Sequence, residues 1–187
     1  MRDAIEYWAV VGVRAVATRL PDAVVRACGS TLGLMFYAVD RAHRRVALTN
    51  LEQCFPNKPA GVRRAIARAT FMHFGQVLLK LLTFSALSRQ QMLERAEYEG
   101  DERVRLAYAK GKGVLFFTGH FGFWECQALA HAVKLRPIGV LARSLDNQRL
   151  NDLLERIRTS TANDVIYRQG GVRRVLKTLA AGEGVAM

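Results

Sequence analysis

The sequence has few cysteines and no apolar run long enough to cross a bilayer. Its three cysteines are widely separated and form no Cys-x-x-Cys pair, so neither a disulfide framework nor a zinc site is indicated. The longest uncharged stretch among the apolar N-terminal residues covers residues 27–39, whereas a membrane-spanning helix needs roughly 20 residues. Asp3 and Glu6 follow Arg2 closely and no small-residue cleavage site ends a short apolar core, so a cleavable signal peptide is not expected. These absences favour reduced thiols in a protein that faces the cytosol.

Acidic residues are also scarce. The chain of 187 residues carries 28 Lys and Arg against 16 Asp and Glu, a net charge of +12. This charge favours an anionic partner, which could be nucleic acid, an anionic membrane surface or an acidic protein. The arginines are spread along the whole chain without interleaved aromatic residues of the kind that stack on bases, which disfavours nucleic acid. Half of the residues are hydrophobic, which is enough for an ordinary domain with a real core.

The first part of the chain, up to about Ser85, is predicted to be helical. Pro21 divides the apolar residues 4–39 into two short amphipathic helices, whose aromatic side chains beside arginines suit a bilayer interface. The alternative is that these helices simply pack on the rest of the protein. Apolar residues recur at helical spacing after Asn57–Pro59, which predicts a further helix. We therefore expect a helical, membrane-associating region over residues 1–85.

The remaining residues, 86–187, alternate between strand-like and helix-like segments. Ser88 and Gln91 form a capping box for a short helix. Strands are predicted at 97–99, 114–118, 138–142 and 164–167. Helices are predicted at 101–110 and 123–133, from a cap at Asp146 onward, and at 172–181, where Gly182 ends the last helix. This alternation predicts the α/β class, a mostly parallel sheet with flanking helices. Gly184–Met187 resembles the start of another buried strand, so we expect a fragment of a longer protein with an incomplete sheet.

The stretch TGHFGFWE, residues 118–125, places a histidine between glycines and a glutamate five positions later. Two residues five apart on one helix point about 140° away from each other, so His120 and Glu125 can meet only if a turn precedes the helix. Gly119 and Gly122 permit such a turn. The spacing therefore predicts a strand, a tight turn that holds His120, and a helix with Glu125 in its first turn.

A histidine in such a turn can act as a general base. The carboxylate of Glu125 would fix the tautomer of His120 and stabilise the imidazolium that forms when the ring accepts a proton. No G-x-S-x-G nucleophile elbow is present, so the base would act directly on a substrate hydroxyl. A purely structural histidine is the alternative. A metal site is disfavoured because the spacings of His120, Glu125 and His131 do not place their side chains on one helix face. No cofactor is indicated.

Two arginines occupy corresponding positions after later strands. Arg143 follows the strand at 138–142, and Arg168 follows the strand at 164–167. Ligands of open α/β sheets bind at the carboxyl ends of the strands, where His120 is also expected. The sequence thus predicts a base and two cations at one edge, although solvated surface arginines remain the alternative.

Several blocks of the sequence resemble one enzyme family. GKGVLFFTGHFGFWE is similar to the histidine-x₄-acid block of the bacterial lipid A biosynthesis acyltransferases, within the glycerolipid acyltransferase group. RVALTNL with CFP, FMHFG, and RSLDN followed by a helix are similar to other blocks of that family and occur in the expected order from about residue 40. In contrast, the stretch Ser160–Asn163 lacks a glycine that we expect before the next strand.

The resemblance implies an acyltransferase in which His120 is the base and Glu125 its partner. It implies an acyl thioester donor on acyl carrier protein, a glycolipid hydroxyl as acceptor, and a site at the cytoplasmic face of the inner membrane. It also implies that Arg143 and Asn147 shape the site or hold the anionic acceptor. Two alternatives remain at this point: a phosphatidylinositol mannoside acyltransferase that uses acyl-CoA, and a non-catalytic basic membrane-binding module.

Overall fold

The computed structural model describes residues 1–187, which form two compact units. One unit consists of residues 14–83 and is helical, and the other combines residues 1–13 with residues 84–187. None of the helices combines the length and the hydrophobicity that crossing a bilayer requires. The predicted division at residue 85 placed the first 13 residues with the helical region, whereas here they belong to the unit that contains the sheet.

The N-terminal region is helical up to Phe84, as predicted. Its helices are α1 (Arg2–Ala17), α2 (Asp22–Val39), α3 (Arg41–Cys54) and α4 (Ala60–Phe84). The break at Pro21 is confirmed: this proline is the residue before α2, with φ −59°, a position that tolerates its missing N–H. Asp40 begins α3 by accepting a hydrogen bond from the backbone N–H of His43.

Glycines allow α2 and α4 to pack backbone against backbone within the helical unit. A Cβ placed on Gly75 of α4 would overlap the carbonyl oxygen of Gly29, and a Cβ on Gly33 of α2 would overlap the carbonyl oxygen of Phe71. Any larger residue at these positions would force the helices apart. This crossing therefore fixes the geometry of the helical unit.

The second unit has the α/β architecture that the sequence predicts. Its elements are α5 (Arg89–Glu94), α6 (Asp101–Ala109), β1 (Val114–Phe116), α7 (Trp124–Lys134), β2 (Ile138–Ala142), α8 (Gln148–Thr159), β3 (Asp164–Tyr167), α9 (Gly171–Ala180) and β4 (Gly184–Ala186). The four strands are all parallel and lie in the order β1-β4-β2-β3. The capping box of Ser88 and Gln91 is confirmed.

The C-terminal segment forms a central strand. β4 pairs with β1 on one side and with β2 on the other, and its three residues are buried. Val185 is completely buried, as is Ile166 of β3, while Leu129 of α7 is almost completely buried. The prediction of a buried strand at this position is confirmed, and its central place explains why its side chains are apolar.

Two local predictions were wrong. Residues 97–99 form no strand. The ring of Tyr98 instead packs beneath the ammonium group of Lys134, which lies 4.1 Å from the ring centroid. Asp146 does not cap α8, because the side chain of Asn147 accepts the hydrogen bond from Leu150 N. The carboxylate of Asp146 is almost fully exposed.

Candidate active site

The loop between β1 and α7 has the conformation that the spacing of His120 and Glu125 predicts. The β1–β4 ladder ends with a hydrogen bond from Thr118 N to Met187 O, 3.0 Å. A tight turn follows, in which Phe121 N donates to Gly119 O at 2.8 Å, and Gly122 adopts φ +60°. Since α7 begins at Trp124, His120 lies in the turn and Glu125 in the first turn of the helix.

The imidazole of His120 is exposed at this turn. Its ring lies edge-on to the indole ring of Trp124, with 5.0 Å between the ring centroids. No hydrogen bond or ion pair engages either ring nitrogen. The Trp124 contact restricts the position of the ring, while both nitrogens stay accessible to a substrate.

The carboxylate of Glu125 is held by an arginine on the next helix. Arg158 of α8 donates from Nε to Oε2 at 3.0 Å and from Nη2 to Oε1 at 2.5 Å. Each side chain is only 15% exposed. A bidentate, charge-assisted ion pair of this kind fixes both the position and the plane of the carboxylate.

His120 and Glu125 lie five residues apart in the chain but share no hydrogen bond in this structure. A carboxylate has about four acceptor sites, and the two hydrogen bonds from Arg158 leave the others open. The dyad therefore stays a prediction.

Arg143 and Arg168 line one cavity at the carboxyl edge of the sheet. The cavity has a volume of about 470 Å³ and is also lined by Ser144, Tyr167 and Gln169. Arg143 makes only a long ion pair with Asp146, 3.6 Å between two highly exposed side chains, and such pairs stabilise little. Two guanidinium groups are thus available to an anionic ligand there.

The strand order sets the spacing of these groups. His120 follows β1, Arg143 follows β2 and Arg168 follows β3, while β4 lies between β1 and β2. Neighbouring strands are about 4.8 Å apart, so β1 and β2 are separated by about twice that distance. The edge thus presents an imidazole at one end and two guanidinium groups towards the other.

Asn147 makes structural hydrogen bonds here, and its predicted part in shaping the site or holding the acceptor stays a prediction. Its Oδ1 caps α8, and its Nδ2 donates to Asp3 O at 3.1 Å and to Glu6 Oε2 at 2.8 Å. The side chain is buried. Because the amide group is fully engaged, Asn147 ties the start of α1 to the loop after β2.

A second asparagine holds the arginine loop in place. The buried side chain of Asn151 accepts from Leu145 N at 3.0 Å and donates to the hydroxyl of Tyr167 at 2.9 Å. That hydroxyl in turn donates to Glu155 at 2.5 Å. Burial, aided by the hydrogen bond to Glu155, raises the pKa of Tyr167, which keeps the phenol protonated as a donor. The loop that carries Arg143 is thereby anchored to α8 and β3.

Sequence reasoning missed Arg158. Arg158 lies 33 residues after Glu125, on a helix that follows a different strand. No local sequence pattern therefore predicts that the two residues pair. The only indication in the sequence is that Arg158 lies in the last turn of a helix whose apolar face packs on the sheet. For metals, no group of three His, Cys, Asp or Glu side chains in residues 1–187 is placed to hold an ion.

Comparisons with known proteins give a consistent result. The family model of the bacterial lipid A biosynthesis acyltransferases matches residues 1–187. The chain is 26% identical to a lipid A biosynthesis acyltransferase of Haemophilus influenzae, covering 81% of this chain and 48% of that protein. It is 26% identical to the lipid A biosynthesis lauroyltransferase of Escherichia coli and 23% identical to the palmitoleoyltransferase of that organism, in both cases over 95% of this chain and 58% of the relative.

The chain thus spans about half the length of the relatives that it matches. The match nevertheless includes both compact units and every residue of the edge described above. The chain belongs to the bacterial lipid A biosynthesis acyltransferase family.

Proposed function

We propose that the protein moves a fatty acyl chain from an acyl thioester, carried by acyl carrier protein, to a hydroxyl of a lipid A-type glycolipid. The observation that carries the proposal is the exposed imidazole of His120 in the turn after β1, five residues before Glu125, whose carboxylate Arg158 fixes. The family match and the names of the relatives support the same reaction.

In the proposed mechanism, a ring nitrogen of His120 removes the proton from the acceptor hydroxyl. The resulting oxygen attacks the thioester carbonyl, and the tetrahedral intermediate collapses with cleavage of the C–S bond. The departing thiolate takes the proton back from the imidazolium. Glu125 stabilises that imidazolium, and a general base of this kind contributes about 10² to 10⁴ in rate.

The helix that follows His120 can stabilise the oxyanion of the intermediate. α7 begins at Trp124 without a side-chain cap on its first N–H groups. The N–H groups at a helix N-terminus and the helix dipole favour negative charge at this end. The negative charge of Glu125 would oppose an oxyanion here, but the ion pair with Arg158 balances that charge.

The cavity of Arg143 and Arg168 is suited to the anionic part of the acceptor. Guanidinium groups bind phosphate oxygens through paired, charge-assisted hydrogen bonds. Two of them beside one cavity would orient a phosphorylated glycolipid so that a hydroxyl faces His120. In this proposal Asn147 acts only indirectly, through the loop that it caps.

The helical unit supports a location at the cytoplasmic face of the inner membrane, with peripheral or monotopic attachment. Residues 14–83 contain eleven Lys and Arg but only three Asp and Glu. Basic residues near an anionic bilayer contribute about 1 kcal/mol each to binding. Exposed apolar side chains in the same unit, including Met35 and Val39, suit an interface between water and hydrocarbon.

The test is a transfer assay with the purified chain, mass detection of products, and two donor–acceptor pairs. Lauroyl acyl carrier protein with a phosphorylated lipid A precursor should yield an acylated precursor and free carrier thiol. Lauroyl-CoA with a phosphatidylinositol mannoside should yield far less product. A preference for the second pair would show the mannoside enzyme instead, and no transfer with either pair would contradict the proposal.

A further inference from the structure

The helical unit contains an apolar groove that is lined by none of the residues assigned to the transfer reaction. The groove lies between α2, α3 and α4 and has a volume of about 630 Å³. Its walls are apolar side chains from all three helices: Leu32, Phe36, Val46, Ala47, Leu51, Phe71, Phe74 and Leu78. Every lining residue belongs to residues 14–83, and the volume is within the range of small-molecule sites, about 300–1,000 Å³.

The glycines of the helix crossing form part of the groove lining. Gly33 of α2 and Gly75 of α4 both line it, and both are in backbone contact with the facing helix. Because neither has a side chain, the groove remains open where the two helices come closest.

Part of the apolar groove lining is exposed to solvent. Phe36, Val46, Phe74 and Leu78 are each about half exposed. Half-exposed aromatic and aliphatic side chains around a narrow groove are costly in water, about 25 cal/mol per Å² of apolar surface. An alkyl chain laid between them would remove that surface from water.

Two arginines lie near the groove, separated from it by the ring of Tyr37. Phe71, which lines the groove, packs edge-to-face against Tyr37 with 5.4 Å between ring centroids. The guanidinium groups of Arg44 and Arg68 lie over the Tyr37 ring, at 5.3 and 5.7 Å from its centroid. Arg44 also donates to the carbonyl of Tyr37, whereas Arg68 makes no hydrogen bond or ion pair and keeps its donors for a ligand.

The one acidic residue of the groove is already compensated. Asp40 accepts hydrogen bonds from His43 N at 3.0 Å and from His43 Nδ1 at 2.7 Å. Its carboxylate therefore repels an anionic group less than a free aspartate would. The groove thus has mainly apolar walls, with the guanidinium groups of Arg44 and Arg68 close by, over the ring of Tyr37.

We propose that this groove binds one acyl chain of an anionic membrane phospholipid, whose phosphate lies beside Arg68. The proposal goes beyond the acyl transfer reaction and rests on the proposed function only for the membrane location. One acyl chain placed in the groove would cover its half-exposed apolar side chains, and this removal of apolar surface from water would add to the electrostatic attraction of the unit. A second copy of the chain fits less well, because its net charge of +12 would oppose an approach to Arg44 and Arg68.

The experiment uses the whole chain with phosphatidylglycerol vesicles that contain a small fraction of phosphatidylglycerol with a diazirine in mid-chain. Illumination attaches the lipid to nearby side chains, and digestion with mass spectrometry locates the labels. We expect labels on the groove-lining peptides of α2, α3 and α4. Labels spread over the surface with none in the groove would overturn the proposal.

Two matched pairs of variants sharpen the test. Ala47→Trp fills the groove and should reduce its labelling at least tenfold, while Ala42→Trp, on an exposed position of the same helix outside the groove, should leave it unchanged. Arg68→Gln should reduce labelling severalfold, whereas Arg45→Gln, which removes the same charge from α3, should not. Circular dichroism checks that each variant is folded.

Vesicle sedimentation, measured in parallel, separates the possible failures. If the chain does not sediment with the vesicles, the proposed membrane location fails. If it sediments but Ala47→Trp leaves labelling unaltered, the groove is not the lipid site. A change of oligomeric state in Ala47→Trp without any lipid labelling would show that the groove is a contact between copies, which also overturns the proposal.

Discussion

Arg158 holds the carboxylate of Glu125 through two hydrogen bonds, of 2.5 and 3.0 Å, in a setting where each side chain is only 15% exposed. This pair links the first turn of α7 to the last turn of α8. It gives Glu125 a fixed position next to the turn that carries His120, which a general-base mechanism requires.

Arg158→Met should impair both stability and transfer. The variant leaves a largely buried carboxylate without its partner, which costs roughly 1–3 kcal/mol of the free energy of unfolding. The transfer rate should fall about 10²-fold because Glu125 loses its orientation. Urea unfolding and the transfer assay measure the two effects.

The control for this pair is Arg156→Met, an exposed arginine of the same helix without a side-chain partner, which should change neither quantity appreciably. The double variant Glu125→Gln with Arg158→Met should recover much of the lost stability but none of the activity. If Arg158→Met were as active as the original protein, the orienting role of Arg158 would be wrong.

Arg143→Gln and Arg168→Gln should weaken binding of the acceptor rather than the chemical step. A charge-assisted hydrogen bond is worth about 1.5–3 kcal/mol, so each variant should raise KM for a phosphorylated acceptor by about tenfold or more with little change in kcat. Arg149→Gln is the matched control, since this exposed arginine lies outside the cavity. An acceptor analogue without phosphate should show no difference between the variants, and a KM unaffected by both substitutions would refute the phosphate site.

Gly75→Ala should destabilise the helical unit. The added Cβ would collide with the backbone of α2 at Gly29, and overpacking of this kind typically costs about 1–3 kcal/mol. Gly61→Ala, in the same helix, has nothing within 4 Å of its Cβ and should stabilise the protein by up to about 1 kcal/mol. Thermal unfolding of both variants tests the crossing, and equal behaviour would argue against it.

Ala162→Gly should stabilise the protein. Ala162 adopts φ +70°, a conformation that costs a residue with a Cβ roughly 1–2 kcal/mol, and it lies in the stretch where the sequence led us to expect a glycine. The gain should be about 0.5–1 kcal/mol, because glycine also loses more entropy on folding. Ala162→Val should have the opposite effect, since a β-branched residue fits this conformation poorly. A lower unfolding temperature for Ala162→Gly would contradict this interpretation.

Local patterns in the sequence predicted most of the fold. The strand at Ile138–Ala142 and the strand at Asp164–Tyr167 were predicted to the residue, because each is a short run of mainly apolar residues bounded by turn residues. The strand–turn–helix around His120 followed from residue spacing and two glycines. Of those glycines only Gly122 has a positive φ, since a single such residue is sufficient to turn the chain.

Features that depend on distant contacts could not be predicted. The pairing of Glu125 with Arg158, the role of Asn147 as a cap, and the association of residues 1–13 with the α/β unit all join segments far apart in sequence. The groove of the helical unit likewise depends on how three helices pack. Residue periodicity gives the apolar face of each helix but not the space left between the helices.

The most direct test of the account is the rate of acyl transfer by His120→Gln, compared with the original protein in the presence of saturating donor. Because the imidazole is exposed and makes no hydrogen bond, this variant should unfold at the same temperature as the original. Its rate should fall by at least about 10²-fold, the minimum contribution of a general base. A folded His120→Gln variant that transfers acyl chains within a few-fold of the original rate would show that His120 is not the catalytic base.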